Sequence, residues 1–425
     1  MLSCEGQARA GHEVHLAFGP IYGPEGSLLQ RVEKFNASVG AVSSALSNAF
    51  AGQGIAAAQV GGVRPISLHT LPHMVREVHP VKDHVCFHHE LRPLIRKLQP
   101  DIVHTHSSKA GILGRWAAWK EDGNARRCTV VHTIHGPPFM PVEGGAIQRA
   151  KTRATNYAYT LAERFAARRC HAIVSVADAM TNEFLRRGIG DASQYVTVRS
   201  GMEVEPFLHT ALGTGQDRAS VRTALGLSDS DFVIGTVARL AQHKGHDDLL
   251  DALAEDLKRN PHWRLLWVGD GWWRDRLVNK AQSMGLGVRE VGEQRAESAA
   301  QVLLTGLVPP ERIPAMIRAM DVLAHPSYRE GLPRTVPQAL LCGVCPVAYD
   351  VDGTGEACRD MQTGRLVPPG NIAALRDAIR WCAEHPAERA ALAARGREEC
   401  RTVFSAQEMV RRLEEVYTKA LQRTL

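Results

Sequence analysis

Residues 322–349, VLAHPSYREGLPRTVPQALLCGVCPVAY, contain the pattern that decides the fold. The runs Val322–Ala324 and Pro346–Tyr349 are almost continuously apolar, as strands buried on both faces must be. Between them, Pro337 is tolerated only in the first turn of a helix, which places a helix start near Arg334–Val336. A strand, a helix and a second strand in this order predict a βαβ unit with parallel strands.

Further apolar, β-rich runs alternate with helical stretches along the rest of the chain. They are Val14–Phe18, Ile102–His104, Thr129–Ile134, Ala172–Val176, Phe232–Val237, Arg264–Val268 and Val302–Thr305. The polar, turn-rich segment Gly201–Ser230 divides all these runs into two sets, so we predict two doubly wound α/β domains with a boundary near residue 205. A closing amphipathic helix is predicted over Ser405–Leu421.

The first residues predict an incomplete βα unit. Cys4–Gly11 has the form of a helix end with a glycine stop, and the strand at Val14 follows it. We therefore expect the strand before this helix, and the loop after that strand, to be missing from the chain as given.

Composition excludes several classes of protein. The 425 residues carry 51 Lys and Arg against 45 Asp and Glu, a net charge of +6 spread along the chain, which does not indicate nucleic-acid binding. Nine cysteines at irregular spacing predict a reducing, cytoplasmic location, and the Cys342–Cys345 pair is interpreted as packing rather than as a redox or zinc site. No apolar run approaches the ~20 residues of a membrane span. Asp350 and Asp352 lead into a glycine-rich turn, so we expect no metal there.

Two loops that follow predicted strands carry charge. Arg239 and Lys244 come after Phe232–Val237, where they could hold one diphosphate while Gly245 lets the backbone approach; a solvated basic loop is the alternative. After Val322–Ala324, the amides of residues 331 and 332 and the positive end of the next helix favour an anionic ligand.

The order and spacing of several motifs resemble one known family. The motifs are Gly235-Thr-Val-Ala-Arg239-Leu with Lys244-Gly245, Val268-Gly-Asp-Gly271, Leu304-Thr-Gly-Leu-Val308-Pro-Pro310, Asp321-Val-Leu-Ala-His-Pro-Ser327, Glu330-Gly-Leu-Pro333, Gly343-Val-Cys-Pro-Val347, Pro100-Asp-Ile-Val-His-Thr-His106 and Thr133-Ile-His-Gly136. Over about residues 5–420 the chain is similar to the retaining nucleotide-sugar glycosyltransferases of the GT-B fold, family 4 in particular.

The resemblance implies two Rossmann-like domains that face a cleft. The first, residues 1–205 completed by the helix in 405–425, would take the acceptor, and the second, residues 206–404, would bind the nucleotide-sugar donor. The donor would be a UDP- or GDP-sugar, without a metal or other cofactor. The product would be a polysaccharide or glycoconjugate, made on a glycan or lipid-linked acceptor.

The resemblance also implies roles for residues of the second domain. Arg239 and Lys244 would hold the donor diphosphate and neutralise charge on the leaving nucleotide. Glu330 would bind hydroxyls of the donor sugar, with the amides of Gly331 and Leu332 nearby.

The resemblance implies roles for further residues in both domains. Val308 would also contact the donor, and Gln338 stands where the family has a glutamate that binds the ribose, which predicts altered ribose binding. In the first domain His135 would lie near the anomeric carbon of the donor sugar. His104 and His106 are candidates for the acceptor side, with a purely structural role as the alternative.

Ile147–Arg169 is a predicted helix with a basic side and an apolar side. Arg149, Arg153, Tyr157, Arg164 and Arg168 fall within about 100° of one another, beside Ile147, Ala154, Leu161 and Phe165. This surface could lie on anionic lipid headgroups at the inner face of the membrane. The alternative is a solvated basic face above a packed apolar one.

Three functions are compatible with the sequence. The first is an active retaining hexosyltransferase. The second is a nucleotide-sugar-binding protein with little transfer activity, because the first strand and a glycine-rich loop are absent. A GT-B epimerase acting on a UDP-sugar fits the Glu330-Gly-Leu-Pro segment less well.

Overall fold

The computed structural model divides the chain into two compact units. The first is Met1–Met202 with Ala406–Leu425, and the second is Glu203–Ser405. The structure describes the chain outside residues 21–26, 50–61, 123–127, 141–144, 210–214, 293–299 and 425. The division falls between Met202 and Glu203. The boundary predicted from the sequence is near residue 205.

The first unit is built from two separate parallel sheets with helices between the strands. Its elements are α1 Leu2–Arg9, β1 Val14–Phe18, α2 Leu29–Ala49, β2 Ile66–Thr70, α3 Pro80–Val85, α4 Arg92–Leu98, β3 Ile102–His106, α5 Ser108–Asp122, β4 Thr129–Ile134, α6 Ala146–Ala167, β5 Ala172–Ser175, α7 Asp178–Arg186 and β6 Tyr195–Thr197. Strands β1 and β2 pair with each other, and the second sheet has the order β3-β4-β5-β6. The register pairs His104 with Val131 and His106 with Thr133, so His106 lies at the carboxyl end of β3, beside the end of β4, and His104 lies in the middle of β3.

The second unit contains one seven-stranded parallel sheet. Its elements are α8 Glu205–Leu208, α9 Arg218–Ala224, β7 Phe232–Val237, α10 His246–Arg259, β8 Trp263–Val268, α11 Arg274–Ser283, β9 Val288–Glu290, β10 Val302–Leu304, α12 Ile313–Arg318, β11 Val322–His325, α13 Thr335–Leu341, β12 Cys345–Tyr349, β13 Arg365–Val367, α14 Ile372–Glu384 and α15 Pro386–Val403. The last helix of the chain, α16 Ala406–Thr424, belongs to the first unit.

The strand order of the second sheet creates a switch point beside β7. The order is β13-β12-β11-β7-β8-β10-β9, so the chain leaves β7 towards one edge and later returns to β11 on the other side. Fully buried side chains such as Ile234, Leu265, Val322 and Val347 form the core around these strands. In open parallel sheets, ligands bind outside the carboxyl ends of the strands where the order reverses. The loops after β7 and β11 meet this condition.

The predicted α/β architecture is confirmed, and so is the helix start before Pro337. The bounds of β1, β4 and β7 are those predicted. The pattern missed β2, β6, β9 and β13, which are short and include polar residues, as in the Ile-Ser-Leu-His-Thr of β2. Such short, mixed runs do not show the continuous apolar pattern of a central strand.

The alternative in which α6 packs through its apolar side is wrong. Ile147, Leu161 and Phe165 are exposed, whereas Asn156 and Glu163 are buried. The polar face can be buried because its groups are paired: the Asn156 side chain accepts from the Met140 amide at 2.8 Å and donates to the Met140 carbonyl at 2.7 Å. Glu163 forms an ion pair of 2.6 Å with Arg115 of α5, and both side chains are at most 2% exposed. Paired polar groups avoid the cost of burying them unsatisfied.

Across the residues that the structure describes, none of the helices combines the length and the apolar composition needed to cross a bilayer.

Candidate active site

The loops after β7 and β11 pack directly against each other in the second unit. Gly245 has φ +69°, and a Cβ on it would lie 1.9 Å from the carbonyl oxygen of Pro326. The carbonyl of His243 accepts hydrogen bonds from the Tyr328 amide at 2.8 Å and from the Ser327 hydroxyl at 3.2 Å. A glycine at position 245 is therefore required both by backbone conformation and by space.

This packing brings Lys244 and Glu330 together from loops that are 86 residues apart. Lys244 Nζ donates to Glu330 Oε1 at 2.6 Å. His325, the last residue of β11, places its Nε2 3.1 Å from the same oxygen. Its Nδ1 lies 3.2 Å from the Thr335 hydroxyl at the start of α13. Glu330 is thus held by a cation and an imidazole at the carboxyl end of the sheet.

The surroundings of Glu330 keep its carboxyl group ionised. Burial by itself would raise the pKa, but the hydrogen bond and charge of His325, together with the charge of Lys244, outweigh it and lower the pKa to about 2. At neutral pH the side chain is an acceptor only, suited to hydroxyl donors or to cations.

The backbone of this loop is fixed by a third loop, which follows β12. The Glu330 amide donates to Asp352 Oδ2 at 2.7 Å, and the Gly353 amide donates to the Gly331 carbonyl at 3.0 Å. Asp352 itself has φ 47°, a left-handed conformation that Asp tolerates better than most residues. Asp352, which the sequence analysis discounted as a metal ligand, therefore acts as an acceptor that positions Glu330.

The basic residues of the β7 loop share this neighbourhood. Burial lowers the pKa of His243, followed in size by the charge of Lys244; Glu330 opposes this effect, and Arg329 and Arg239 add to it. All four charged groups therefore lie within electrostatic reach of one imidazole. The Arg239 guanidinium lies 5.5 Å from the ring centroid of Trp272, a side chain that is 67% exposed.

The other predicted donor residues lie on neighbouring segments. Gly331 and Leu332 follow Glu330 directly, and Gln338 is half-buried within α13. Val308 follows β10, which β8 separates from β7 in the sheet. The structure therefore places Glu330, Gly331 and Leu332 on one loop and Val308 on another.

In the first unit the predicted histidines form a cluster at the carboxyl ends of β3 and β4. His106 Nδ1 lies 3.0 Å from His135 Nε2, and the two rings stack with centroids 5.2 Å apart. His104 contacts the Tyr417 hydroxyl through Nδ1 and the Thr133 hydroxyl through Nε2, both at 2.7 Å. Because both ring nitrogens of His104 are engaged within the protein, this bonding favours the structural alternative for His104.

A cavity of about 150 Å³ adjoins this cluster and is lined by His132, His135, Ser107 and Gly136 among others. Burial lowers the pKa of His104 to about 3, and the charge of His135 contributes. Desolvation also lowers the pKa of His135. These rings are therefore neutral at pH 7, and His135 offers the cavity an uncharged imidazole.

The positioning roles of His325 and of the backbone acceptor Asp352 are not evident from the sequence. A polar residue at the end of an otherwise apolar run was the available signal for His325. Among the described residues no group of three or more His, Cys, Asp or Glu has the arrangement of a metal site.

Two protein families match the chain in sequence. Residues 217–399 match the family described as Glycosyl transferases group 1, and residues 3–205 match the one described as Glycosyltransferase Family 4.

Curated relatives carry glycosyltransferase names. D-inositol 3-phosphate glycosyltransferase of Rhodococcus jostii is 28% identical over 301 residues, which cover 69% of this chain and 61% of the relative. The Escherichia coli UDP-Gal:alpha-D-GlcNAc-diphosphoundecaprenol alpha-1,3-galactosyltransferase is 27% identical over 312 residues, covering 73% of each chain. The match thus spans less than two thirds of the length of the Rhodococcus relative.

Solved structures share the fold. The Anabaena HepE protein in complex with UDP-glucose aligns with a TM-score of 0.68 and 19% identity over 96% of this chain and 100% of that one. A glycosyltransferase from Rickettsia africae aligns with a TM-score of 0.69 and 16% identity over 99% and 93% of the two chains.

Proposed function

Because the chain belongs to the group 1 glycosyltransferases with the GT-B fold, we propose that it transfers a hexosyl unit from a nucleotide sugar to a glycan or lipid-linked acceptor, with retention of anomeric configuration. The observation that carries the proposal is the contact of Lys244 and His325 with one carboxylate oxygen of Glu330. This cluster lies at the switch point of the second sheet, where a parallel sheet binds its ligands.

The cations of the β7 loop stabilise the nucleotide as it leaves the sugar. Breaking a glycosyl–phosphate bond leaves negative charge on the diphosphate, and positioned cations stabilise that charge as it develops. Lys244 has three N–H donors, so it can keep its bond to Glu330 and still donate to a phosphate oxygen. Arg239 offers a planar fork for further oxygens. Two such cations can do the work that a divalent metal does in other enzymes.

Glu330 is assigned to the sugar. Its ionised carboxylate can accept from sugar hydroxyls, and His325 and Asp352 hold its side chain and backbone in place. A group fixed before the donor binds does not have to be ordered during the reaction.

The relatives favour a uridine nucleotide. The name of the Escherichia coli relative includes UDP-Gal, and the Anabaena structures hold UDP or UDP-glucose. We therefore propose a UDP-sugar as donor in preference to a GDP-sugar. The name of the same relative also includes a diphosphoundecaprenol acceptor, which favours a lipid-linked acceptor.

His135 is assigned to the reacting end of the donor sugar, and His106 is a positioning residue. Because His106 Nδ1 and His135 Nε2 share a hydrogen bond, one nitrogen donates and the other accepts, which couples the tautomers of the two rings and leaves His135 Nδ1 for other partners.

The experiment separates donor binding from transfer. UDP release from several UDP-sugars is measured with a panel of glycan and lipid-linked acceptors, and the anomeric configuration of the product is read by NMR. Glu330→Gln should lower kcat by roughly tenfold or more while changing UDP affinity by less than threefold, because its partner is the sugar. Glu398→Gln, a change at an exposed position of the same unit, is the matched control and should leave both unchanged.

Two results would overturn the proposal. A product with inverted configuration contradicts retention. An equal loss of UDP affinity and of turnover in Glu330→Gln would place Glu330 at the nucleotide and not at the sugar.

A further inference from the structure

Helix α6 turns an apolar stripe towards the surface, directly opposite its buried face. At 100° per residue, Ile147 and Phe165 have the same angular position, Leu161 lies about 40° away, and the buried Asn156 lies on the opposite side. Ile147 is 88% exposed, Leu161 45% and Phe165 38%. We call Ile147, Leu161 and Phe165 the α6 stripe.

Aromatic side chains extend this surface on both sides. Tyr157, one turn before Leu161, is 64% exposed, and Trp119 at the end of α5 is 45% exposed. The Arg169 guanidinium lies 3.6 Å from the ring centroid of Phe165 and 4.6 Å from that of Trp119. One cation therefore joins the exposed aromatic rings of α5 and α6 into a continuous patch.

The exposed charges on α6 all have one sign. At 100° per residue, the exposed Lys151 lies about 40° from Ile147 on one side of the stripe, and the exposed Arg168 and Arg164 lie about 60° and 100° from it on the other side. The single acidic residue of the helix, Glu163, is buried in its ion pair with Arg115. No ion pair is formed by Lys151, Arg164 or Arg168 within the described part of the chain. The surface thus combines exposed apolar and aromatic groups with unneutralised positive charge.

We propose that α6 is an interfacial helix that binds an anionic lipid bilayer, with the α6 stripe among the acyl chains and the flanking cations at the headgroups. A stripe opposite the buried face, with basic flanks and aromatic residues at its edges, has the pattern of helices that lie in the plane of a membrane interface. This property goes beyond the proposed transfer reaction and does not depend on it.

The positive charge of α6 favours an anionic bilayer over a second copy of the chain as the partner of the α6 stripe. In a two-fold symmetric dimer the same surface meets itself, so the cations of one α6 would face those of the other. An anionic membrane instead attracts basic groups by about 1 kcal/mol for each Lys or Arg near its surface, roughly a fivefold gain in affinity for each.

Vesicle sedimentation with the full chain tests the proposal. The protein is mixed with extruded phosphatidylcholine vesicles, either pure or with about 30 mol% phosphatidylglycerol. We expect sedimentation with the anionic vesicles only, and release at about 1 M NaCl, where the Debye length falls to about 3 Å.

Two sets of substitutions test the contributions of positive charge and of apolar area to membrane binding separately. Replacing Lys151 and Arg168 together by Glu should weaken binding roughly thirtyfold or more. Ile147→Ser with Leu161→Ser should weaken it roughly tenfold, because apolar area no longer enters the bilayer. Arg401→Glu and Val403→Ser, at exposed positions of α15, are the matched controls and should change nothing.

Each outcome is decisive. UDP titration without lipid and circular dichroism establish that the variants are folded, so a failure of donor binding is distinguished from a failure of membrane binding. Wild-type protein that stays in the supernatant with anionic vesicles overturns the proposal, as does equal binding to neutral vesicles. Loss of a dimer in sedimentation velocity, with vesicle binding unchanged in the α6 variants, assigns the stripe to a second copy instead.

Discussion

Replacing Glu330 by Gln should make the free energy of unfolding of the second unit vary less with pH in the acid range. Glu330 Oε1 is contacted by both Lys244 Nζ and His325 Nε2, and these partners lower its pKa from the ordinary value of 4.5 to about 2 despite burial. A glutamine occupies the same space but cannot ionise.

The sign follows from the two pKa values. The folded state binds a proton at Glu330 less readily than the unfolded state, so the carboxylate stabilises the fold above pH 4.5, and this stabilisation is lost as the pH falls towards 2. A pKa lowered from 4.5 to about 2 corresponds to about 3 kcal/mol at neutral pH, for a side chain that is only 14% exposed. By pH 3 about 2 kcal/mol of that stabilisation is gone.

The measurement is urea unfolding at several pH values between about 7 and 3, a window set by the pKa values above. Tryptophan fluorescence reports mainly on the second unit, which holds Trp263, Trp267, Trp272, Trp273 and Trp381 of the seven tryptophans. The difference in unfolding free energy between the wild type and Glu330→Gln should shrink by about 2 kcal/mol across this range. Glu398→Gln, run in parallel, should show a difference that does not change with pH.

A difference between wild type and Glu330→Gln that stays constant from pH 7 to 3 would refute the reasoning. It would mean that the carboxyl titrates alike in the folded and unfolded states, and that Lys244 and His325 do not hold it in solution.

Three further predictions concern the proposed donor site. Gly245→Ala should destabilise the second unit by about 2 kcal/mol or more, because its Cβ meets the Pro326 carbonyl and its φ is positive; a melting temperature equal to that of the wild type would contradict this. UDP should bind equally well with and without EDTA, and Arg239→Ala should cost about 1.5–3 kcal/mol of binding energy in calorimetry; strict metal dependence would be incompatible with a two-cation diphosphate site. Gln338→Glu should change UDP affinity by less than tenfold, since charge-assisted bonds to the ribose and repulsion from the diphosphate are similar in size. If 2′-deoxy-UDP binds both forms as well as UDP does, Gln338 does not contact the ribose.

Much of the candidate site in the second unit could be predicted from residues that follow apolar runs. The loops at Lys244 and Glu330 were found because parallel strands end at one edge of the sheet and their loops carry the charged groups. His325 was missed as a positioning residue because its role depends on Thr335 and Glu330, which reach it only once the strand, loop and helix have folded together. The Asp352 contact with the Glu330 amide likewise joins two loops that the sequence separates.

The sequence alone determined the alternation of buried strands and helices. An almost continuously apolar strand is buried on both faces only when helices cover both sides of its sheet. Tertiary structure decided which strands are neighbours. The pairing of β7 with β11 brings Lys244 to Glu330, and no local pattern encodes that contact. Tertiary structure also decided which face of α6 is buried. Periodicity favoured the apolar face, but Met140 and Arg115 satisfy the polar groups of Asn156 and Glu163, so the polar face could enter the core and the apolar stripe was left outside.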